Sequence, residues 1–248
     1  MRGAAGNGAI FMKSNTEDPV QELRELTAHL VDWLRFQRRL GWRGTPAESE
    51  PSAPSGPQES ARVLTLKEIR EELGDCRRCK LSRGRKHIVF GDGSARADLM
   101  FIGEGPGEEE DLQGLPFVGA AGQLLNNLLS KLGLRREEVY IANVVKCRPT
   151  GNRDPDADET GQCLPFLLKQ IEAIKPQVIV TLGKVATQAL LGTQAPLTRL
   201  RGQWQKYREM RVMPTFHPSY LLRFPKERHK TWEDMQQVME YLAAHAED

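Results

Sequence analysis

The sequence predicts an α/β protein built as three layers, α/β/α, around a central, mostly parallel four-stranded sheet. Three observations lead there. Four short, apolar, β-rich segments stand out at 99–102, 139–142, 178–182 and 212–216. Helical patterns lie between them over 122–132, 163–174 and 184–191, and strands alternating with helices favour a parallel sheet covered on both faces. Finally, chemistry-bearing residues follow the segments, where open α/β sheets bind ligands outside the carboxyl ends of their strands.

The core is preceded by an extension over 1–43 with a single expected helix. Asp18 suits an N-cap with Pro19 at the first helical position. Leu23, Leu26, Leu30, Trp33 and Leu34 then recur at helical spacing, and Gly41 closes the segment. A lone amphipathic helix must lay its apolar stripe on the main domain or on a protein partner. Residues 44–61 are rich in Pro, Ser and Glu and read as a disordered linker that cannot bury a core. The main domain is expected over 62–248, as a monomer. No internal repeat is evident.

With 248 residues, 39% hydrophobic and 27% charged, the chain suits one sizeable globular domain plus the extension. Its strongest apolar run, 178–182, is far too short to cross a bilayer. The first fifteen residues contain Arg2 and Lys13 but no continuous apolar stretch, so a cytoplasmic location without a membrane is expected. A net charge of +2 leaves a nucleic-acid partner to be decided by local clusters. Arg223, Lys226, Arg228, His229 and Lys230 form one, and Arg83, Arg85 and Lys86 another; either suits phosphates or plain solvated surface.

Four cysteines in a reducing compartment suit metal ligation or catalysis better than disulfides. Cys76 and Cys79 form a C-x-x-C pair, and Cys147 and Cys163 supply two more. Four thiolates suit tetrahedral zinc or an iron–sulfur cluster, and the long, uneven spacing is unlike a compact zinc ribbon. The turn Gly103-Glu104-Gly105-Pro106-Gly107 lacks a dinucleotide-binding spacing. Glu108, Glu109, Glu110 and Asp111 follow it and would repel phosphate, so the turn suits water or a neutral ring. The next block, 112–122, packs glycines around Phe117. Glycines admit close backbone approach, and Phe117 offers either a flat stacking face or a core ring. His217-Pro218-Ser219 ends the last strand, where a histidine can donate to a developing oxyanion, move a proton, or be structural.

Together these motifs resemble the family-4 uracil-DNA glycosylases, the iron–sulfur type. The resemblance runs from about Val63 to the C-terminus and rests on Cys76-Arg77-Arg78-Cys79, Val89-Phe90-Gly91, the 103–107 turn, the 114–122 block, 143–149, Cys163 and His217-Pro218-Ser219. It implies a uracil-DNA glycosylase fold with a [4Fe–4S] cluster on the four cysteines. Acting on uracil-containing DNA, single- or double-stranded, the enzyme would flip deoxyuridine into a pocket and release free uracil, leaving an abasic site. By motif position, Phe117 would stack on uracil and Asn143 would read its edge. His217 would stabilise charge on uracil O2. Glu104 and the Gly105 backbone would position water, and Glu110 would shape the pocket. The resemblance also departs from a stronger glycosylase family, which has aspartate where this turn has Gly105. Leaving-group stabilisation is therefore expected to dominate over general-base catalysis. Ser219, Leu221, Leu222 and Arg223 would contact DNA, with the leucines as a wedge. The rival reading is a non-catalytic iron–sulfur or zinc DNA-binding module, which has no need of the Phe117, Asn143 and His217 set.

Overall fold

The computed structural model describes residues 62–245, together with Thr27 and Val31, which are helical and exposed. Contacts divide the chain into two units, Met1–Pro54 and Ser55–Asp248, and the elements below belong to the second. The rest of the expected helix within 1–43 and the expected linker at 44–61 lie outside the described residues. No helix among the described residues is long and apolar enough to cross a membrane.

The chain enters this unit through helix α1 (Leu66–Leu73). Thr65 begins it, because its hydroxyl accepts from the Glu68 N–H while the Glu68 carboxylate accepts from the Thr65 N–H. Its buried residues, Ile69 and Leu73, meet Phe90 and Phe166. Gly74, at φ +52°, then turns the chain sharply into the first cysteine pair.

Six strands follow: β1 (Asp92–Gly93), β2 (Leu99–Gly103), β3 (Tyr140–Asn143), β4 (Val178–Leu182), β5 (Gln205–Tyr207) and β6 (Met210–Thr215). They form one sheet in the order β1-β3-β2-β4-β6-β5. The inner four, β3, β2, β4 and β6, are parallel. The two edges run antiparallel to their neighbours. The sheet is therefore mixed and six-stranded rather than four-stranded. The added edges span two and three residues, too few to carry a period-2 signal. The expected segment at 139–142 is displaced by one residue to Tyr140–Asn143, and the last strand starts earlier, at Met210.

Every residue of β2, β3 and β4 is buried, as expected for a parallel sheet covered on both faces. Alternate side chains feed two cores. Leu99, Phe101, Ile141, Val180 and Met213 meet Leu125 and Leu129 of α3 (Ala120–Lys131) and Met235 and Val238 of α8 (Arg228–Ala244). Met100, Ile102, Ala142 and Ile179 meet Leu167 and Ile171 of α4 (Ala157–Ile174) and Ala186 and Leu190 of α5 (Lys184–Leu191). The three layers follow from this alternation.

Asp234 of α8 fastens the far end of β6, the strand that delivers His217. Its carboxylate, 1% exposed, accepts from Arg201 Nη1 at 2.7 Å and Thr215 Oγ1 at 2.6 Å. Removing it takes away the shorter acceptor of each donor, leaving Arg201 Nη1 the Lys230 carbonyl and Thr215 the Thr231 hydroxyl, each at 3.2 Å. Asp234→Ala should therefore lose about 3 kcal/mol or more of unfolding free energy in a urea titration.

Candidate active site

The expected site residues gather at the carboxyl ends of the parallel strands. Gly103 ends β2 and pairs in register with Asn143, the last residue of β3. Glu104 and Gly105 follow β2, and His217 follows β6 by two residues. Phe117 reaches the same place from the loop between α2 (Glu108–Gln113) and α3. Its ring lies 5.6 Å from the His217 ring, tilted by 37°.

Gly103 makes this convergence possible. A methyl group on it would lie 2.4 Å from Asn143 Oδ1 and 2.6 Å from Phe117 Cζ. Only a residue without Cβ leaves room for an amide and an aromatic ring to approach one strand end. Asn143 is 1% exposed, and its Oδ1 is the one buried side-chain polar atom, among the described residues, without a hydrogen-bond partner. An orphaned buried acceptor costs about 1–3 kcal/mol, and a ligand N–H is one way to answer it.

Asn143 is held from below by Lys146. This lysine is 1% exposed, and its ammonium donates to the Asn143 carbonyl at 2.9 Å and to Gln170 Oε1 at 2.6 Å. Gln170 in turn donates to the Phe90 carbonyl and the Tyr140 hydroxyl. Burial draws the Lys146 pKa down to about 8. Nothing in the sequence pattern marks Lys146 as buried.

His217 has two attachments that fix its chemistry. It is the N-cap of α7 (Pro218–Arg223), and its Nδ1 accepts from the Ser219 N–H at 3.2 Å. The Ser219 hydroxyl lies 2.7 Å from the same nitrogen. A nitrogen that accepts cannot carry the proton, so the network assigns the hydrogen to Nε2. Although the residue keeps some exposed surface, desolvation lowers the ring's pKa to about 4, with Glu110 opposing and Arg223 assisting. At neutral pH the imidazole is uncharged, with one N–H to give.

Glu104 is half-buried. Burial raises its pKa to about 7, Asp154 pushes the same way and Lys184 opposes. At Gly105, a methyl group would meet Val145 Cγ2 at 2.8 Å, so the turn passes tightly over the loop after β3.

The Glu110 carboxylate binds backbone amides around the Phe117 loop. One carboxylate oxygen accepts from the N–H groups of Val118 and Gly119, each at 2.9 Å, and the other from Gly107 at 3.1 Å. It fixes the loop that carries Phe117, whose φ of +51° is a left-handed conformation costing a bulky residue about 1–2 kcal/mol. Phe117 is 5% exposed and belongs to the core that holds Leu99, Phe101 and Leu125, as one of its two expected readings had it.

The expected DNA-contacting set divides. Leu222 is 40% exposed, but Leu221 is 4% exposed and buried in the body of the domain. Adjacent helical positions face different ways, so α7 cannot present both. Phe224, half exposed at the end of a run of rings with Phe216 and Tyr220, joins Leu222 on the surface; sequence reasoning passed over it. Arg223 and Ser219 are exposed, though the serine hydroxyl already meets His217. Arg85, grouped by sequence with phosphate-gripping residues, turns inward instead, its side chain 7% exposed.

A second cavity collects all four cysteines, with Leu73, Arg78, Arg85, Ile88 and Lys146 around them. All four are free of disulfides. N–H donors aim at three of the sulfurs: Arg78 Nη1 at Cys76 Sγ (3.3 Å), Arg85 Nη1 at Cys147 Sγ (3.5 Å) and the Lys146 N–H at Cys163 Sγ (3.2 Å). Burial pushes the Cys147 thiol up to about 12 and raises Cys163 as well. Among the described residues, no three Cys, His, Asp or Glu side chains are gathered as they would be around one ion.

The chain belongs to the uracil DNA glycosylase superfamily, whose family model matches residues 90–243. Within it, the similarity lies with the type-4 enzymes. The type-4 uracil-DNA glycosylase of Sulfurisphaera tokodaii is 44% identical over 71% of this chain and 84% of its own. That of Thermotoga maritima is 49% identical over 62% of this chain and 82% of its own. A type-5 uracil-DNA glycosylase of Pyrobaculum aerophilum is more distant, at 32% identity over 56% of this chain.

Glu104 gives the site a pH signature in stability. Between its unfolded value near 4.5 and its folded value of about 7, the native state holds a proton that the unfolded chain has released. Stability therefore falls as pH rises through that window. Glu104→Gln should remove this slope and leave the variant about 1–2 kcal/mol more stable than the parent at pH 8, after allowing for solvent screening. Urea midpoints at pH 4.5 and pH 8 check it.

Proposed function

We propose that this protein is a uracil-DNA glycosylase of base excision repair, which flips deoxyuridine out of DNA and hydrolyses its N-glycosidic bond. The observation that carries the reading is the buried, unpartnered Asn143 Oδ1 beside the Phe117 ring. A pyrimidine ring stacked on Phe117 would turn its edge to that amide. Uracil offers an N3–H donor to Oδ1 and an O4 acceptor to the Asn143 NH2 group. Cytosine reverses both, so two mismatched pairings reject it.

In the reaction the C1′–N1 bond breaks and its electron pair leaves on uracil, spread toward O2. The neutral His217 Nε2–H donates to that growing charge. Because the ring enters uncharged, its hydrogen bond strengthens mainly in the transition state. Water then adds at C1′, oriented by the Glu104 carboxylate and the Gly105 backbone, and its proton passes to Glu104 or solvent. The raised pKa of Glu104 suits it to hold that proton near neutrality. Glu110 acts at one remove, by holding the Phe117 loop.

The four cysteines fit a [4Fe–4S] cluster. They surround one cavity, and three of them receive N–H donors, which stabilise sulfur charge. When bound, such a cluster would supply the positive charge that the desolvated thiols of Cys147 and Cys163 need to ionise. Cys76 and Cys79 would then be tied to Cys147, in the loop after Asn143, and to Cys163 of α4.

Two experiments test these roles. His217→Ala should slow single-turnover uracil release by about 10²–10³-fold while changing DNA affinity little, since its partner charge exists only in the transition state. An unchanged rate would overturn the mechanism. Cys147→Ala should lose the visible absorbance of anaerobically purified protein, its bound iron and most of its soluble yield. Stoichiometric zinc without iron in the parent would reject the cluster.

A further inference from the structure

The loop that carries Phe117 is held by a residue with no assigned role. Arg136 begins the short helical turn Arg136–Glu138 between α3 and β3. Its guanidinium makes four contacts from one planar group. Nη2 donates to the Pro116 carbonyl, and Nη1 donates to the Phe117 carbonyl at 3.3 Å and to Asn126 Oδ1 at 3.0 Å. Nε meets Asp92 Oδ2 at 3.3 Å. The side chain is 23% exposed, so much of this fork is withdrawn from water.

These bonds fall on both sides of a strained bend. Phe117 sits at φ +51°, a region that a bulky residue holds only where its surroundings force it. Gly122 closes on the same peptide; a methyl group there would stand 1.9 Å from the Phe117 carbonyl oxygen. Glu110 holds the following amides, Val118 and Gly119. Arg136 thus grips the carbonyls on either side of the Phe117 Cα, and Glu110 grips the N–H groups that follow. From this geometry we infer that Arg136 is a positioning residue for uracil excision, keeping Phe117 in the left-handed conformation that turns its ring toward Asn143 and His217. A lysine cannot replace it, because one ammonium on a flexible stem lacks the planar fork.

The inference rests on the glycosylase reading, and its test separates the two. Arg136→Lys is made alone and in a Phe117→Ala background. Single-turnover release from a uracil-bearing single strand is measured at saturating enzyme, alongside hydrogen exchange of the Val118 and Gly119 amides. A displaced reacting geometry predicts release about 10- to 100-fold slower in Arg136→Lys, with affinity for uracil-free DNA unchanged. Exchange at the two amides should quicken about tenfold or more. In the Phe117→Ala background the same substitution should add less than about threefold, because its target is gone. Parental release and exchange in Arg136→Lys would overturn the inference, as would a full further loss in the Phe117→Ala background. Should Arg136→Lys not fold, the Asp92→Ala/Asn126→Ala double variant removes both side-chain acceptors that aim the fork; it should slow release and quicken exchange in the same direction, and parental values there would overturn the inference. If the parent itself releases no uracil, the glycosylase reading fails, and the exchange measurement alone decides whether Arg136 holds the bend.

Discussion

The site depends on one buried carboxylate. Glu110 binds the N–H of Gly107, which caps α2, and that of Gly119, which caps α3, with Val118 between them. A negative charge at two helix N-termini meets their partial positive charges as well as three donors. Everything between those helices is thereby fixed in length and direction, including the bend at Phe117. The ring's distance from His217 is thus a consequence of backbone hydrogen bonding. Without that carboxylate, three part-buried loop amides would lose their side-chain acceptor.

A second junction lies under Asn143. The Lys146 backbone N–H donates to Cys163 Sγ, while its side chain donates to the Asn143 carbonyl. One residue therefore touches both the cysteine cavity and the strand end beside it. Its neighbours, Gln170, Tyr140 and Phe90, complete a buried polar network. Such networks rigidify when every member is satisfied. The open valence beside this one is the Asn143 side-chain oxygen, on the pocket side.

Much of this was legible in the sequence, for physical reasons. The four inner strands announced themselves because burial on both faces demands continuous apolar runs. His217, Asn143 and Glu104 were legible because each stands just beyond or at the end of such a run. The edge strands were not, being two and three residues long. Leu221 was paired with Leu222 as a surface wedge in the segment after His217, yet the helix turns it inward. Arg85 read as a phosphate contact or solvated surface because it lies in a basic cluster, but Asp75 and the cysteine cavity claim it. Arg136, Lys146 and Glu110 bond chiefly to backbone groups, and a backbone partner leaves no trace in side-chain pattern.

The attachment of His217 has an implication for how the enzyme fails. The nitrogen that caps α7 belongs to the ring that carries the reactive N–H. Protonating that ring below about pH 4 both charges it and turns the capping acceptor into a donor facing the Ser219 amide. The helix start then loses its cap, while the Nε2–H remains and belongs to a charged ring. Acid therefore acts on this region first through the backbone, by uncapping the segment that bears Leu222 and Arg223.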